Sequence, residues 1–271
     1  MKIISLQPSV SIILDRLGCL DTLAACTKYC LEAVPALRER NLPIVHDSWS
    51  TKTEELLPVH ADLVIASVPY RQESLAAILK SAQPVLALAP HSLADVYNDI
   101  RLIANLAGAT AKGEALISEM QTAIRLVQEQ TSRIPSRPAV HCEEWGKPLI
   151  HSQTWVAELI ESAGGHFVGI PGAIATPQDI AHANPDVIVA AWCGAGNRVP
   201  LEKIIEQRRW EDLAAVRTGR VYCIADELLN TPAPTLVDGL HALACAIHPD
   251  VFGTPSGPSI RAIDRISIPS V

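Results

Sequence analysis

Aromatic residues make up only 4% of this 271-residue chain, so each ring that falls outside an apolar pattern is informative. Other shortages narrow the function further. The net charge is −7 and no run is rich in Lys or Arg, which argues against binding a nucleic-acid phosphate backbone. No apolar run approaches the roughly 20 residues that a membrane-spanning helix needs. Met1 and Lys2 lead straight into the strand-like residues 3–6, without the apolar core or small-residue cleavage site of a secretory leader. The seven cysteines are odd in number and irregularly spaced. That pattern favours free thiols and a cytoplasmic location, with a periplasmic or lipid-anchored one as the alternative if a leader has been removed.

Motifs of catalysis are equally scarce. Gly194 and Gly196 lack the third glycine of a dinucleotide fingerprint, and neither a phosphate-loop lysine nor a G-x-S-x-G elbow is present. Candidate metal ligands (His46, His91, His141, Cys142, Glu143, His151 and Cys193) include no close-spaced Cys/His pair of the zinc type, and Cys26 with Cys30 has the wrong context. Glu143 and Glu144 could do acid–base work, but alternate residues of a strand point opposite ways. No catalytic residue, resident metal or prosthetic group is assigned, and an enzyme is not favoured.

What the chain does hold is one pattern written twice. Residues 60–66 read HADLVIA and residues 183–190 read ANPDVIVA. Each is a polar lead-in to a β-branched run, the mark of a parallel strand buried on both faces. Each is followed by a loop with an aromatic, a helical stretch and another strand (residues 84–89 and 219–225). This predicts an α/β fold of two Rossmann-like lobes with parallel sheets. Residues 1–108 read as the N-terminal lobe, with a helix from a possible Ser9 cap to Gly18. Residues 109–133 hold the longest helix-patterned segment free of Pro, apolar at Ala115, Leu116, Met120, Ala123, Ile124 and Val127. About 23 residues at 1.5 Å each would make a linking helix about 35 Å long. Residues 134–250 read as the C-terminal lobe and residues 251–271, with three prolines, as an irregular tail.

In such folds ligands sit off the carboxyl ends of the strands. The residues expected there are Tyr29, Trp49, Tyr70 and His91 in the first lobe, and Glu144, Trp145 and Trp192 in the second. Aromatic faces near a cleft favour a large, flat, partly apolar ligand, although some of these rings could only pad an interface. His91 could coordinate a metal carried by a ligand, hydrogen-bond a carboxamide, or cap the next helix. Trp155 and Trp210 lie in helical and pre-strand contexts and are expected in the core.

Several segments carry a resemblance. They are IISLQPS at 3–9 with Gly18 following, ADLVIA at 61–66, EWGKPL at 144–149, WVAELIESAGG at 155–165, NPDVIV at 184–189, and Trp210 followed by GRVY at 219–222. In this order and spacing, over residues 1–250, the chain resembles the class III substrate-binding proteins. Within them it is most similar to the cobalamin-binding subgroup, which is related to ferric-siderophore and haem binders. The resemblance implies two lobes joined by one rigid helix and a ligand held in the cleft between them with little hinge motion. It implies that Trp49 stacks on a corrin and that Tyr29 contributes beside it. Family transporters present one glutamate from each lobe to arginines of an ABC permease; Glu54 matches the first. The second falls near Asn230, where Glu227 is the nearest carboxylate. The Glu144-Trp145 pair and the Asn-x-Pro-x-Pro run at 230–234 are also found in relatives that look like intracellular or orphan binders. The expectation is therefore a non-enzymatic binder of cobalamin or another corrinoid, with an ABC permease as partner if Glu227 serves as the second docking carboxylate. A ferric siderophore or haem binder and a chelatase-like or tetrapyrrole-processing enzyme are the alternatives.

Overall fold

A computed structural model describes residues 1–69 and 71–263 of the chain. Two compact units emerge: Met1–Met120 with Pro232–Pro234, and Gln121–Thr231 with the chain from Thr235 onward.

The first unit alternates strands and helices: β1 (Ile3–Ser5), α1 (Pro8–Arg16), β2 (Leu23–Thr27), α2 (Lys28–Ala33), β3 (Ile44–Val45), α3 (Thr53–Leu56), β4 (Leu63–Ser67), α4 (Gln72–Leu79), β5 (Val85–Leu88) and α5 (Leu93–Leu106). All strand pairs are parallel, in the order β3-β2-β1-β4-β5. The chain winds outward from β1 to one side and then to the other, so the order reverses beside β1 and β4. That reversal opens a crevice at the carboxyl end of a doubly wound sheet. The β-branched runs are buried as their pattern requires: Ile3, Ile4, Val64, Ile65 and Ala66 are inaccessible to solvent. Helix α1 does not start from a Ser9 cap. Gln7 holds the cap position and Pro8 the first turn, because proline's fixed φ and missing N–H suit that place. Ser9 is buried instead.

Helix α6 (Thr110–Thr131) carries the boundary between the units at Met120. Its buried stripe runs through Leu116, Ile117, Met120, Ile124 and Val127, while Ala115 faces solvent. Gly113 joins the stripe; a Cβ there would lie 2.4 Å from the Ala104 methyl, so glycine permits the close approach of α5.

The second unit contains β6 (Ala139–Gly146), β7 (Leu149–His151), α7 (Thr154–Ser162), β8 (His166–Phe167), β9 (Ile174–Ala175), α8 (Pro177–Ala183), β10 (Val187–Ala190), α9 (Leu201–Arg208), α10 (Ala214–Arg217), β11 (Val221–Ile224), α11 (Asp226–Leu229), α12 (Leu236–Ile247), α13 (Pro249–Phe252) and β12 (Ile260–Ala262). Its sheet is mixed rather than wholly parallel. Strands β8, β6, β10 and β11 are parallel, whereas β7 and β9 form an antiparallel wing on β6. The two-residue turn between β6 and β7 is too short for a crossover, so the chain can only reverse direction there. The expected irregular tail contains order within its described part: β12 pairs antiparallel with β11, Cys223 opposite Arg261. The remaining tail residues, 264–271, lie outside the described residues. Trp155 and Trp210 are core residues, 3% and 0% exposed. Their indole N–H groups donate to Leu229 O at 2.8 Å and Pro177 O at 3.0 Å, which removes the cost of burying a polar edge.

Gly239 sets the fit of α12 on α11. A Cβ at this position would lie 2.1 Å from the Leu228 carbonyl oxygen and 2.9 Å from Leu229 Cδ2. Gly239→Ala is expected to destabilise the unit by about 1–3 kcal/mol through overpacking, read as a lowered denaturation midpoint. An unchanged midpoint would show that the two helices move apart at no cost.

Candidate functional site

In the first unit the site begins at the reversal beside β1. The Gln7 amide donates to Pro69 O at 3.4 Å and ties the loops after β1 and β4 together. Strand β3 is at the sheet edge, yet the loop after it folds back across the strand ends. Ser48 N donates to Leu6 O at 3.1 Å, and the Ser67 N–H reaches Ser48 Oγ at 3.3 Å. Trp49 is thereby carried toward the reversal; its carbonyl accepts from Ser74 Oγ at 2.6 Å and the residue is 44% exposed. Tyr29 stands in the first turn of α2, which Thr27 caps by accepting the Cys30 N–H. Each ring carries a cation on one face: Lys28 Nζ lies 4.8 Å from the Tyr29 centroid, and the Arg71 guanidinium 5.0 Å from that of Trp49.

The other first-unit candidates differ. His91 follows the edge strand β5 and is exposed. Its backbone N–H donates to Asp95 at 3.0 Å, and Ser92 supplies the cap of α5, so capping uses the His91 backbone and leaves its imidazole in solvent. Tyr70 lies outside the described residues. Glu54 is exposed on α3, while its neighbour Glu55 turns to His46, accepting from the backbone N at 2.9 Å and pairing with Nδ1 at 2.8 Å.

In the second unit the equivalent region is the reversal at β6 and β10. A register shift lies between Glu143 and Trp145, and the two glutamates separate. Glu143 turns inward and is 1% exposed. Its Oε1 accepts the Trp192 indole N–H at 2.8 Å, and its Oε2 accepts from Arg208 Nη1 at 2.7 Å and His141 Nε2 at 3.1 Å. Burial alone would raise this carboxyl; the His141 bond and the Arg208 charge outweigh it and hold the pKa below the usual carboxylate value. Glu144 is half-buried and receives the Gln153 amide at 2.6 Å. Burial pushes its carboxyl up to about 7 against that hydrogen bond. Trp145 is 44% exposed and donates to Lys147 O at 3.0 Å. Trp192 is half-buried at the end of β10, next to β6, where Ala191 N and Cys193 N donate to Glu143 O and Glu144 O. Glu144, Trp145 and Trp192 therefore come together on neighbouring strand ends.

Asp226 braces the following loop, its carboxylate accepting Gly194 N at 2.8 Å and Gly196 N at 3.0 Å. Asn230 is absorbed into the same scaffold, its amide donating to Ala191 O. Glu227 stays exposed on α11, within 3.4 Å of Ser259 Oγ. Among the described residues no group of three or more His, Cys, Asp or Glu is arranged to hold a metal ion, and no helix is long and apolar enough to cross a membrane.

Two α/β units, each with aromatic loops at the carboxyl ends of parallel strands, define the class of two-unit solute-binding folds. Residues 3–228 match the Periplasmic binding protein family, and the chain belongs to it. Among curated relatives, an uncharacterized ABC transporter substrate-binding lipoprotein YvrC of Bacillus subtilis is 26% identical, over 93% of this chain and 81% of its own length. A cobalamin-binding protein of Halobacterium salinarum is 22% identical, over 91% and 69%. Solved structures share the fold. The periplasmic heme-binding protein RhuT from Roseiflexus superposes with a TM-score of 0.78 at 23% identity, covering 93% of this chain and 98% of its own. The vitamin B12-binding protein BtuF of Vibrio cholerae does so at 0.72 and 19%, covering 91% and 96%.

Sequence reading puts Gln7 and Asp226 at strand ends without giving them a supporting role, and it misses Gln153 and Arg208. Asp226 directly follows the predicted strand 219–225 and adjoins Glu227, whereas Arg208 is 65 residues from the carboxylate it meets.

His151 carries a measurable consequence of this packing. It is 3% exposed, its ring 5.3 Å from that of His141, and burial lowers its pKa to about 4, with Glu143 and Asp179 opposing. The unfolded chain takes up the proton near pH 6.5, whereas the folded protein resists it. Stability is therefore complete above about pH 6.5 and falls as pH drops toward 4, by on the order of 2 kcal/mol at pH 5. Denaturant melts across this range should show a shallower acid decline in His151→Gln; an identical decline would locate the proton uptake elsewhere.

Proposed function

We propose that this chain is the solute-binding component of an ABC importer and that its ligand is a large, flat, cofactor-like molecule, cobalamin or another corrinoid foremost. The observation that carries the reading is the sorting of a scarce residue type. Trp155 and Trp210 are buried, but Tyr29, Trp49 and Trp145 keep 37%, 44% and 44% of their surface exposed at strand ends. Rings held open at such positions suit stacking on a ligand face. Glu144, balanced near pH 7, can donate to an amide carbonyl or accept from an amide N–H, the groups that fringe a corrin. The curated relative named as a cobalamin-binding protein supports the same choice.

The cations over Tyr29 and Trp49 favour a second reading. Lys28 and Arg71 would pair with carboxylates, which haem and many ferric siderophores carry and cobalamin does not. A chelatase-like or tetrapyrrole-processing activity would have to use His91 or Glu144, since the Glu143 oxygens already accept three donors.

Import implies work outside the cytoplasmic membrane, and the relative named a lipoprotein supports an exported or anchored form over a cytoplasmic one. The exposed Glu54 and Glu227 are then the carboxylates we assign to permease docking. Charge reversal at either should lower uptake in cells carrying the cognate permease while leaving the ligand Kd unchanged. A changed Kd would instead place that residue in the ligand site.

The deciding experiment is titration of the protein with cyanocobalamin, cobinamide and haemin, following tryptophan quenching together with ligand absorbance. The corrinoid reading expects saturable, micromolar or tighter binding of the first two, weakened about three- to tenfold in Trp49→Ala, the range that one lost stacking contact gives. Preference for haemin, lost in Lys28→Met with Arg71→Met, would install the second reading. No binding of any of the three would defeat the corrinoid and haem readings and leave a ferric siderophore as the ligand to titrate next.

A further inference from the structure

We propose that Glu143 and Arg208 are positioning residues that fix the Trp192 indole at the end of β10, with Gly146 as the seat against which the ring lies. The inference rests on the reading of Trp192 as a ligand-contacting residue. A tryptophan on a loop has two side-chain torsions to settle, and a binding ring works best when both are settled before the ligand arrives. Here the ring is held along two edges. Its N–H edge ends on Glu143 Oε1 at 2.8 Å. Its six-membered ring lies over Gly146, where a Cβ would come within 2.0 Å of Cζ2 and 2.5 Å of Cη2. Gly146 is not among the glycines with positive φ, so backbone conformation does not call for glycine here; the indole does.

The carboxylate is fixed in its turn. Glu143 Oε2 accepts from Arg208 and His141, and Arg208 Nη2 also donates to Gly146 O at 3.1 Å. The guanidinium lies 4.7 Å from the centroid of the fully buried Trp210, whose own N–H is spent on Pro177 O. Arg208 therefore grips both the acceptor of the indole N–H and the backbone beneath the indole. A cluster that served stability alone would not need the half-buried ring among its partners; an apolar core of similar volume does that work as well or better.

The test uses Glu143→Gln, which keeps shape and an acceptor while removing charge, and Gly146→Ala, which leaves the charges intact and displaces the ring. Each is made alone and in a Trp192→Ala background. The first readout needs no ligand: the Trp192 indole ¹⁵N–H resonance, assigned by its loss in Trp192→Phe, and its hydrogen exchange. The second is the Kd for the probe retained in the titration above, cyanocobalamin first. The lock predicts a resonance protected from exchange in the parent protein, and shifted and exposed in both variants. Affinity should fall about three- to tenfold in each variant, with no further loss when Trp192 is already Ala. A resonance left in place in the folded variants would overturn the lock. Equal losses with and without the ring would overturn it too, since the cluster would then act on the unit as a whole. Unchanged affinity in Trp192→Ala alone would instead defeat the ligand-contact reading, and is told apart because the resonance would still move. Should Glu143→Gln fail to fold, Gly146→Ala carries both readouts.

Discussion

A carboxylate sealed away from water must be met by donors, and much of the second unit is arranged around that requirement at Glu143. Strand β6 delivers it to the interior. Strand β10 answers with the Trp192 N–H, helix α9 with Arg208, and β6 itself with His141. Leaving out Arg208 would strand a buried charge, at a cost of about 3–5 kcal/mol. The network thus explains why a polar side chain lies so near an otherwise apolar cluster of Ile188, Val221, Ile205 and Trp210. It also explains why the neighbouring Glu144, with one amide for company, behaves so differently.

The two units reach similar ends by different means. In the first, a wholly parallel sheet brings Trp49 to the strand ends on a loop and Tyr29 on the first turn of a helix, and cations lie on their faces. In the second, an antiparallel wing extends β6 past its parallel partners, and the rings are held by indole hydrogen bonds to Glu143 and Lys147. A cation over a ring is mobile and exposed to salt, and contributes about 0.5–1 kcal/mol at the surface. A hydrogen bond from an indole to a buried carboxylate is directional and stiff. The rings of the first unit thus meet cations, and those of the second meet hydrogen-bond acceptors.

Strands buried on both faces could be read directly, because β-branched runs such as those at 62–66 and 186–190 have few other ways to be satisfied. Helix α6 was visible for the same reason, through its spacing of apolar residues, even though Ala115 proved to face solvent. The short strands β7, β9 and β12 were not visible. Two or three residues carry no period, and their pairing is decided by partners many residues away. Of the site, the rings were legible because the chain has so few of them. Their supports were not, because an arginine on an amphipathic helix and an aspartate after a strand look like ordinary surface residues until the fold brings them to a carboxylate or a pair of amide groups.

By itself, then, the sequence determined an α/β chain of two halves with parallel strands and aromatics at their carboxyl ends. Local pattern suffices where burial on both faces leaves one solution. The tertiary structure decided which of two adjacent glutamates would be buried and which would stay near neutrality, that the second sheet would be mixed, and which rings would be pinned. Those outcomes depend on desolvation and on contacts between residues such as Glu143 and Arg208, and neither is a property of any short stretch of chain.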